Sequence, residues 1–164
     1  MVKIFHEETG MYIDWKQLNK LPEIDTLIDI GVGPNGTPDL YQHFKNAKLI
    51  LLDPIDEAKE FAKEFAKHRD LTFFQTALGK EDDIEQEIKL QKKRGNTSLL
   101  EISKFNMEDD YTEKKKIKIN RLDTILKNKK DLGKIGIKVD VEGYELDVIK
   151  GAEDTLKYTK FVIA

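Results

Sequence analysis

After its first two dozen residues the chain alternates short apolar runs, each ending in a polar or glycine-bearing turn, with stretches whose apolar positions recur at helical spacing. Thr26-Leu27-Ile28-Asp29-Ile30 is such a run, closed by glycines, and reads as a buried parallel strand. Thr37-Pro38 restarts the chain as a helix, with threonine as its cap, proline in its first turn and Leu40, Tyr41 and Phe44 along one side. Leu49 to Leu52 predicts a second strand. Ile55 to His68, with Phe61, Ala62 and Phe65 on one side, predicts an amphipathic helix. Leu71 to Leu78 predicts a third strand.

From Glu81 to Lys118 the rhythm breaks. Ile84, Gln86, Ile88 and Leu90 alternate with charged residues as an edge strand would, Gly95 to Ser98 is a polar turn, and the Lys114 to Lys116 run is expected in solvent. This stretch reads as an insertion. Ile117 to Ile119 is a short strand, Leu122 to Lys127 a short helix, Ile135 to Val141 the fourth core strand, Tyr144 to Leu156 a helix, and Lys160 to Ala164 the opening of a further strand. Strand and helix alternation predicts an α/β fold, a mostly parallel sheet with helices on both faces. The expected organisation is an N-terminal arm over residues 1–24, with Met11, Tyr12, Ile13 and Trp15 against a sheet edge, and one domain over 25–164.

Composition narrows the chemistry. The 164 residues fit one domain, and 36% charged against 39% hydrophobic residues, with a net charge of −3, argues against a nucleic-acid binder. With no cysteine, disulfides, thiolate metal sites and cysteine nucleophiles are excluded. No apolar run reaches the roughly 20 residues of a membrane helix, and Met1 to Gly10 lacks a signal-peptide core, so the expectation is a cytoplasmic protein with no membrane partner. His6, His43 and His68 have no partner at ligand spacing, and no metal is expected. Phe61, Phe65, Phe73 and Phe74 read as core rather than as a base-stacking platform.

In an open parallel sheet, ligands bind outside the carboxyl ends of the strands, near the point where strand order reverses. The first such end here is Asp29-Ile30-Gly31-Val32-Gly33-Pro34-Asn35-Gly36, spaced as G-x-G-x-x-G, where missing side chains let backbone approach a ligand. A tight strand-to-helix turn would use the same glycines. Asp53 ends the second strand, where a carboxylate accepts both hydroxyl protons of a ribose, or serves as a turn residue before Pro54. Two nucleoside cofactors fit: a nicotinamide dinucleotide or S-adenosylmethionine. Asp29 would crowd a pyrophosphate but suits a cationic donor, and helix onset after the loop, at Thr37-Pro38, also disfavours the dinucleotide. At the fourth strand Lys138, Asp140 and Glu142 share one side at period two, a mixed acid and base cluster at the ligand-binding edge. A carboxylate there can take a proton, bind a divalent cation that acidifies the acceptor, or hold the donor's ammonium and a loop amide; Asp140 is expected to touch donor or acceptor, Glu142 is a candidate base, and Lys138 is expected to pair with acids.

From Thr26 to the final residue the chain resembles the FkbM methyltransferases. The residues that carry this are Asp29 to Gly33, Gly36-Thr37-Pro38-Asp39-Leu40-Tyr41, Leu52-Asp53-Pro54, Thr76-Ala77-Leu78-Gly79, Asn96 to Leu100, Arg121 to Leu126, Ile137 to Leu146 and Lys150-Gly151-Ala152. The resemblance implies a Rossmann-like methyltransferase fold, S-adenosylmethionine as donor, and methylation of a hydroxyl on a sugar or natural product. It places Asp29, Gly31 and Gly33 at the donor's methionine end with Gly36 and Pro54 in the same cradle, Asp53 on the ribose, Ala77-Leu78 at the adenine edge, and Ser98 and Asp140 near the cofactor. Pro34-Asn35 departs from the family, whose loop is often shorter. The sequence also stops inside the fifth core strand, where this fold usually adds a helix and an antiparallel hairpin. An open edge at Phe161-Val162-Ile163 and self-association through it are therefore expected. A nicotinamide-dependent oxidoreductase and a non-catalytic nucleoside-binding module are the competing readings.

Overall fold

The computed structural model describes residues 3–5, 18–91, 97–98 and 111–164. Met11 to Trp15, His6, Gly95, Asn96, Leu99 and Leu100 lie outside the described residues. In chain order the elements are β1 (Lys3–Phe5), β2 (Thr26–Ile30), α1 (Pro38–His43), β3 (Lys48–Leu52), α2 (Asp56–Phe65), β4 (Leu71–Phe74), β5 (Ala77–Leu78), β6 (Ile84–Gln91), β7 (Thr97–Ser98), β8 (Tyr111–Asn120), α3 (Leu122–Leu126), β9 (Ile135–Val139), α4 (Glu145–Lys150), α5 (Glu153–Leu156) and β10 (Thr159–Ile163).

Six strands form one parallel sheet in the order β1-β10-β9-β2-β3-β4. Successive side chains of a strand point to opposite faces, and the core divides accordingly. Leu27, Leu49 and Leu51 face a cluster that α1 and α2 complete with Leu40, Tyr41, Ala58 and Ala62. Ile28, Ile30, Ile50 and Leu52 face a second cluster, completed by Leu122 and Leu126 of α3 and Val148 of α4. Both faces are thus covered, which is why β2 and β9 are buried along their whole lengths. Strand order reverses between β2 and β9: from β2 the chain winds outward through β3 to β4, then returns to β9 on the other side.

Several local expectations are corrected. Leu71 to Leu78 is two strands, because the chain leaves the large sheet after Phe74 and Ala77–Leu78 joins a second sheet, ordered β5-β8-β6-β7. The lysine run at 114–116 lies within β8, opposite Lys89, Ile88 and Glu87 of β6, with Lys114 and Lys116 in solvent as expected and Lys115 half-buried. Lys115 reaches Asp56 of α2 at 2.7 Å, and Lys114 reaches Glu87 at 2.8 Å, so acids on neighbouring elements meet the run. The expected helix over 144–156 is α4 and α5, separated at Gly151-Ala152. A methyl group at Gly151 would stand 2.0 Å from the Gly79 carbonyl oxygen, so only glycine lets the two backbones meet there. The edge of β10 is not open at Phe161 to Ile163, because β1 pairs with it in parallel, Lys3 opposite Phe161 and Phe5 opposite Ile163.

Candidate functional site

At the carboxyl ends flanking the reversal, the loops after β2, β3 and β9 converge. Gly31, with φ +80°, lets the β2 loop pass against β9: a methyl group there would lie 1.8 Å from the Asp140 carbonyl oxygen. Gly33 has φ +61° and an open face, with nothing within 4 Å of where a side chain would start. Gly36 has a packing role instead, since its own missing side chain is replaced by the Phe61 ring. The loop ends at Thr37, and α1, a helix of 6 residues, begins at Pro38.

Asp29 does not face the ligand side. It is fully buried beneath the loop, and both its oxygens are engaged. Oδ2 accepts from the Thr37 hydroxyl at 3.0 Å and the Tyr41 hydroxyl at 2.5 Å, and Oδ1 accepts from Lys138 Nζ at 3.2 Å. Asp29 and Lys138 are direct neighbours across β2 and β9, so the register of the sheet itself pairs them. Thr37 therefore gives its hydroxyl to Asp29 rather than capping α1. Tyr41 was legible in sequence only as an apolar helix position; the sign of its second role is that a buried acid needs donors. Burial, followed by the Asp29 charge, pushes its hydroxyl far above the ordinary tyrosine range, so it stays a donor.

Lys138 is a hub, with Nζ also 3.3 Å from the Gly31 carbonyl oxygen and 3.4 Å from Asp140 Oδ2. Burial works against its charge, but Asp29 and Asp140 outweigh that and hold its pKa above the ordinary lysine value. Its neighbours thus favour the ammonium form, which donates hydrogen bonds and has no lone pair to act as a base. Asp140 is outward, its side chain 62% exposed, while its N–H donates to the Ile30 carbonyl at 2.9 Å and fixes its backbone to β2.

Asp53 is buried at the end of β3. Its Oδ2 accepts from the Gly33 N–H and its Oδ1 from the Ile55 N–H, both at 2.9 Å. The glycine loop and the turn through Pro54 are thus drawn onto one carboxylate. Burial pushes the Asp53 carboxyl above the ordinary aspartate range, and the two N–H bonds pull against it. Beyond Asp140, Glu142 is an exposed residue in left-handed conformation, φ +53°. The turn is held by Glu145, a residue the sequence did not single out, whose Oε1 accepts from the Val141 and Gly143 N–H groups at 3.3 and 3.0 Å. Partial burial, then the charges of Asp140 and Glu145, raise the Glu142 pKa.

The remaining expected site residues belong to the second sheet. Ala77 and Leu78 have buried side chains and belong to β5, so contact with a ligand would run through their backbone. Ser98 falls in β7, opposite Lys89 of β6. A hollow of about 460 Å³ opens at the opposite, amino-terminal end of the sheet, between Leu126, Gly133, Ile135 and Tyr158. Its acid, the half-buried Asp123, already accepts from the Asp154 and Thr155 N–H groups and the Thr155 hydroxyl, so the hollow offers a ligand little. Among the described residues no group of three or more acids and histidines is placed to hold a metal, and no helix is long and apolar enough to cross a membrane.

The fold is that of an α/β protein whose mostly parallel sheet is covered by helices on both faces, with loops converging at the carboxyl ends of its strands. The family model of the methyltransferase FkbM domain matches residues 25–164, and the chain belongs to that family. It is a methyltransferase with the Rossmann-like fold its sequence implied. Searches of curated proteins and of solved structures gave no match.

Proposed function

We propose that this methyltransferase takes its methyl group from S-adenosylmethionine and transfers it to a hydroxyl of a sugar or natural-product acceptor. The observation that carries this reading is the polarity of the site. Asp53, Asp140 and Glu142 end on the reversal point, whereas the nearby cation, Lys138, is buried and already bonded to acids. Such a mouth suits a ligand carrying ammonium and sulfonium charges and repels a pyrophosphate. The short α1, starting beyond the loop, offers no helix end for phosphate to sit on.

The residues fit that donor. The open face of Gly33 leaves room for ligand atoms against backbone, and the Asp53 oxygens, each holding one N–H, retain lone pairs for ribose hydroxyls. Gly31 and Gly36 shape the loop, Asp29 supports it from below, and the backbone of Ala77 and Leu78 borders the adenine end. When bound, S-adenosylmethionine supplies a methyl group already activated by its sulfonium. The chain's own part is to orient the acceptor oxygen and receive its proton, for which Glu142, with its raised pKa beside Asp140, is the suited group.

Calorimetric titration of the protein with S-adenosylhomocysteine and with NAD tests the reading. Saturable binding of the first and none of the second is expected. An isotherm for NAD alone would replace this assignment with an oxidoreductase.

A further inference from the structure

We propose that Lys138 is a positioning residue that acts through Asp140: its buried ammonium, pinned from below by Asp29, holds the outward Asp140 carboxylate over the donor site. A lysine within a central parallel strand is unusual, because every neighbour in Ile135–Val139 is apolar or glycine and the strand is buried throughout. A buried ammonium carries three N–H donors, and here three acceptors surround it: Asp29 Oδ1, the Gly31 carbonyl and Asp140 Oδ2, at 3.2, 3.3 and 3.4 Å. Two of these are fixed parts of the sheet and glycine loop. The third is a side chain 62% exposed, which without the lysine would be a solvated carboxylate free to rotate.

The anchor beneath is rigid. Asp29 is held in turn by Thr37 and Tyr41 at the start of α1, so the connection runs from α1 through Asp29 and Lys138 to Asp140. Asp29 thereby acts on the donor site without touching the donor, and Asp140 is the acid presented to it. This inference builds on the donor reading for where the ligand lies, but the tether can be examined without any ligand.

Lys138→Met alone would strand the buried Asp29 charge and risk misfolding, so the informative variant is the neutral pair Asp29→Asn with Lys138→Met. In the full ligand-free chain, the carboxyl carbon resonance of Asp140 is expected to move in that variant while that of Asp123 stays in place. An unmoved Asp140 resonance in a folded variant overturns the proposal. Calorimetry with S-adenosylhomocysteine supplies the second measurement. The neutral pair and Asp140→Asn are each expected to weaken binding about ten-fold, the loss of one charge-assisted bond, and the triple variant no further, since both act through one carboxylate. Additive losses near a hundred-fold would mean that Lys138 acts independently of Asp140. Should the unaltered protein bind no S-adenosylhomocysteine, the donor reading fails, and the resonance measurement still decides the tether.

Discussion

Asp53 works in two opposed senses. Buried at the end of β3, it is poised to accept hydroxyl protons, but its ionised form is disfavoured by that same burial. Asp53→Asn keeps the shape and removes the charge. It should weaken S-adenosylhomocysteine binding about ten-fold or more, read by calorimetry. It should also change how stability depends on pH. A carboxyl whose folded pKa exceeds its unfolded value of about 3.9 contributes fully below that pH, and the contribution is lost as pH rises through the folded pKa. The unfolding free energy of the natural chain minus that of Asp53→Asn therefore falls as pH is raised from about 4, measured by denaturant titration at a series of pH values. A difference that rises instead would mean that the bonds from Gly33 and Ile55 outweigh burial. Glu142, also raised, gives a functional counterpart: Glu142→Gln should bind the donor product as the natural chain does but lose most methyl transfer, and a rate unchanged by the substitution would remove it as base.

Element by element, β2, β3, β4, β9 and β10 of the large sheet were legible in sequence and β1 was not, while β6 and β8 were anticipated as strands but not as one sheet with β5. β2, β3 and β9 are apolar runs buried on both faces, a pattern that does not depend on partners. The break after Phe74 left no mark, since Gln75-Thr76 sits inside a continuous strand-like run and the change of sheet is a long-range event. The lysines of β8 read as solvated but not as part of a strand, because their partners, Asp56 and Glu87, are remote in sequence. In the site, the acids and glycines were visible by type and place, while the direction of Asp29 was hidden. Its position shows that it ends β2, but only the register opposite Lys138 and the turn of α1 decide that it points inward. The joint between α4 and α5 carries a prediction of this scale. Gly151→Ala drives a methyl group into the Gly79 carbonyl, so α4 must shift; the expected loss is about 1–3 kcal/mol by denaturant titration. A variant as stable as the natural chain would show that the joint yields without strain.

For the molecule as a whole, β1 decides how the sheet ends. Removing residues 1–5 bares the backbone of Phe161 to Ile163, an apolar edge. The shortened chain is expected to associate with rising concentration in sedimentation, more than the full chain does; identical sedimentation would mean that β1 protects nothing. The pairing of Asp29 with Lys138 has a consequence in time as well as in space. The two lie 109 residues apart, and at about 5–20 residues per second a ribosome delivers the lysine roughly 5 to 20 seconds after the acid. Thr37 and Tyr41 emerge almost with Asp29, so the nascent chain can gather the hydroxyls early but must leave the carboxylate hydrated. Only when β9 arrives can the acid leave water. The middle of the sheet and the mouth above it are then finished in the same late step, and a ribosome stalled before Lys138 would hold a chain whose center is still wet.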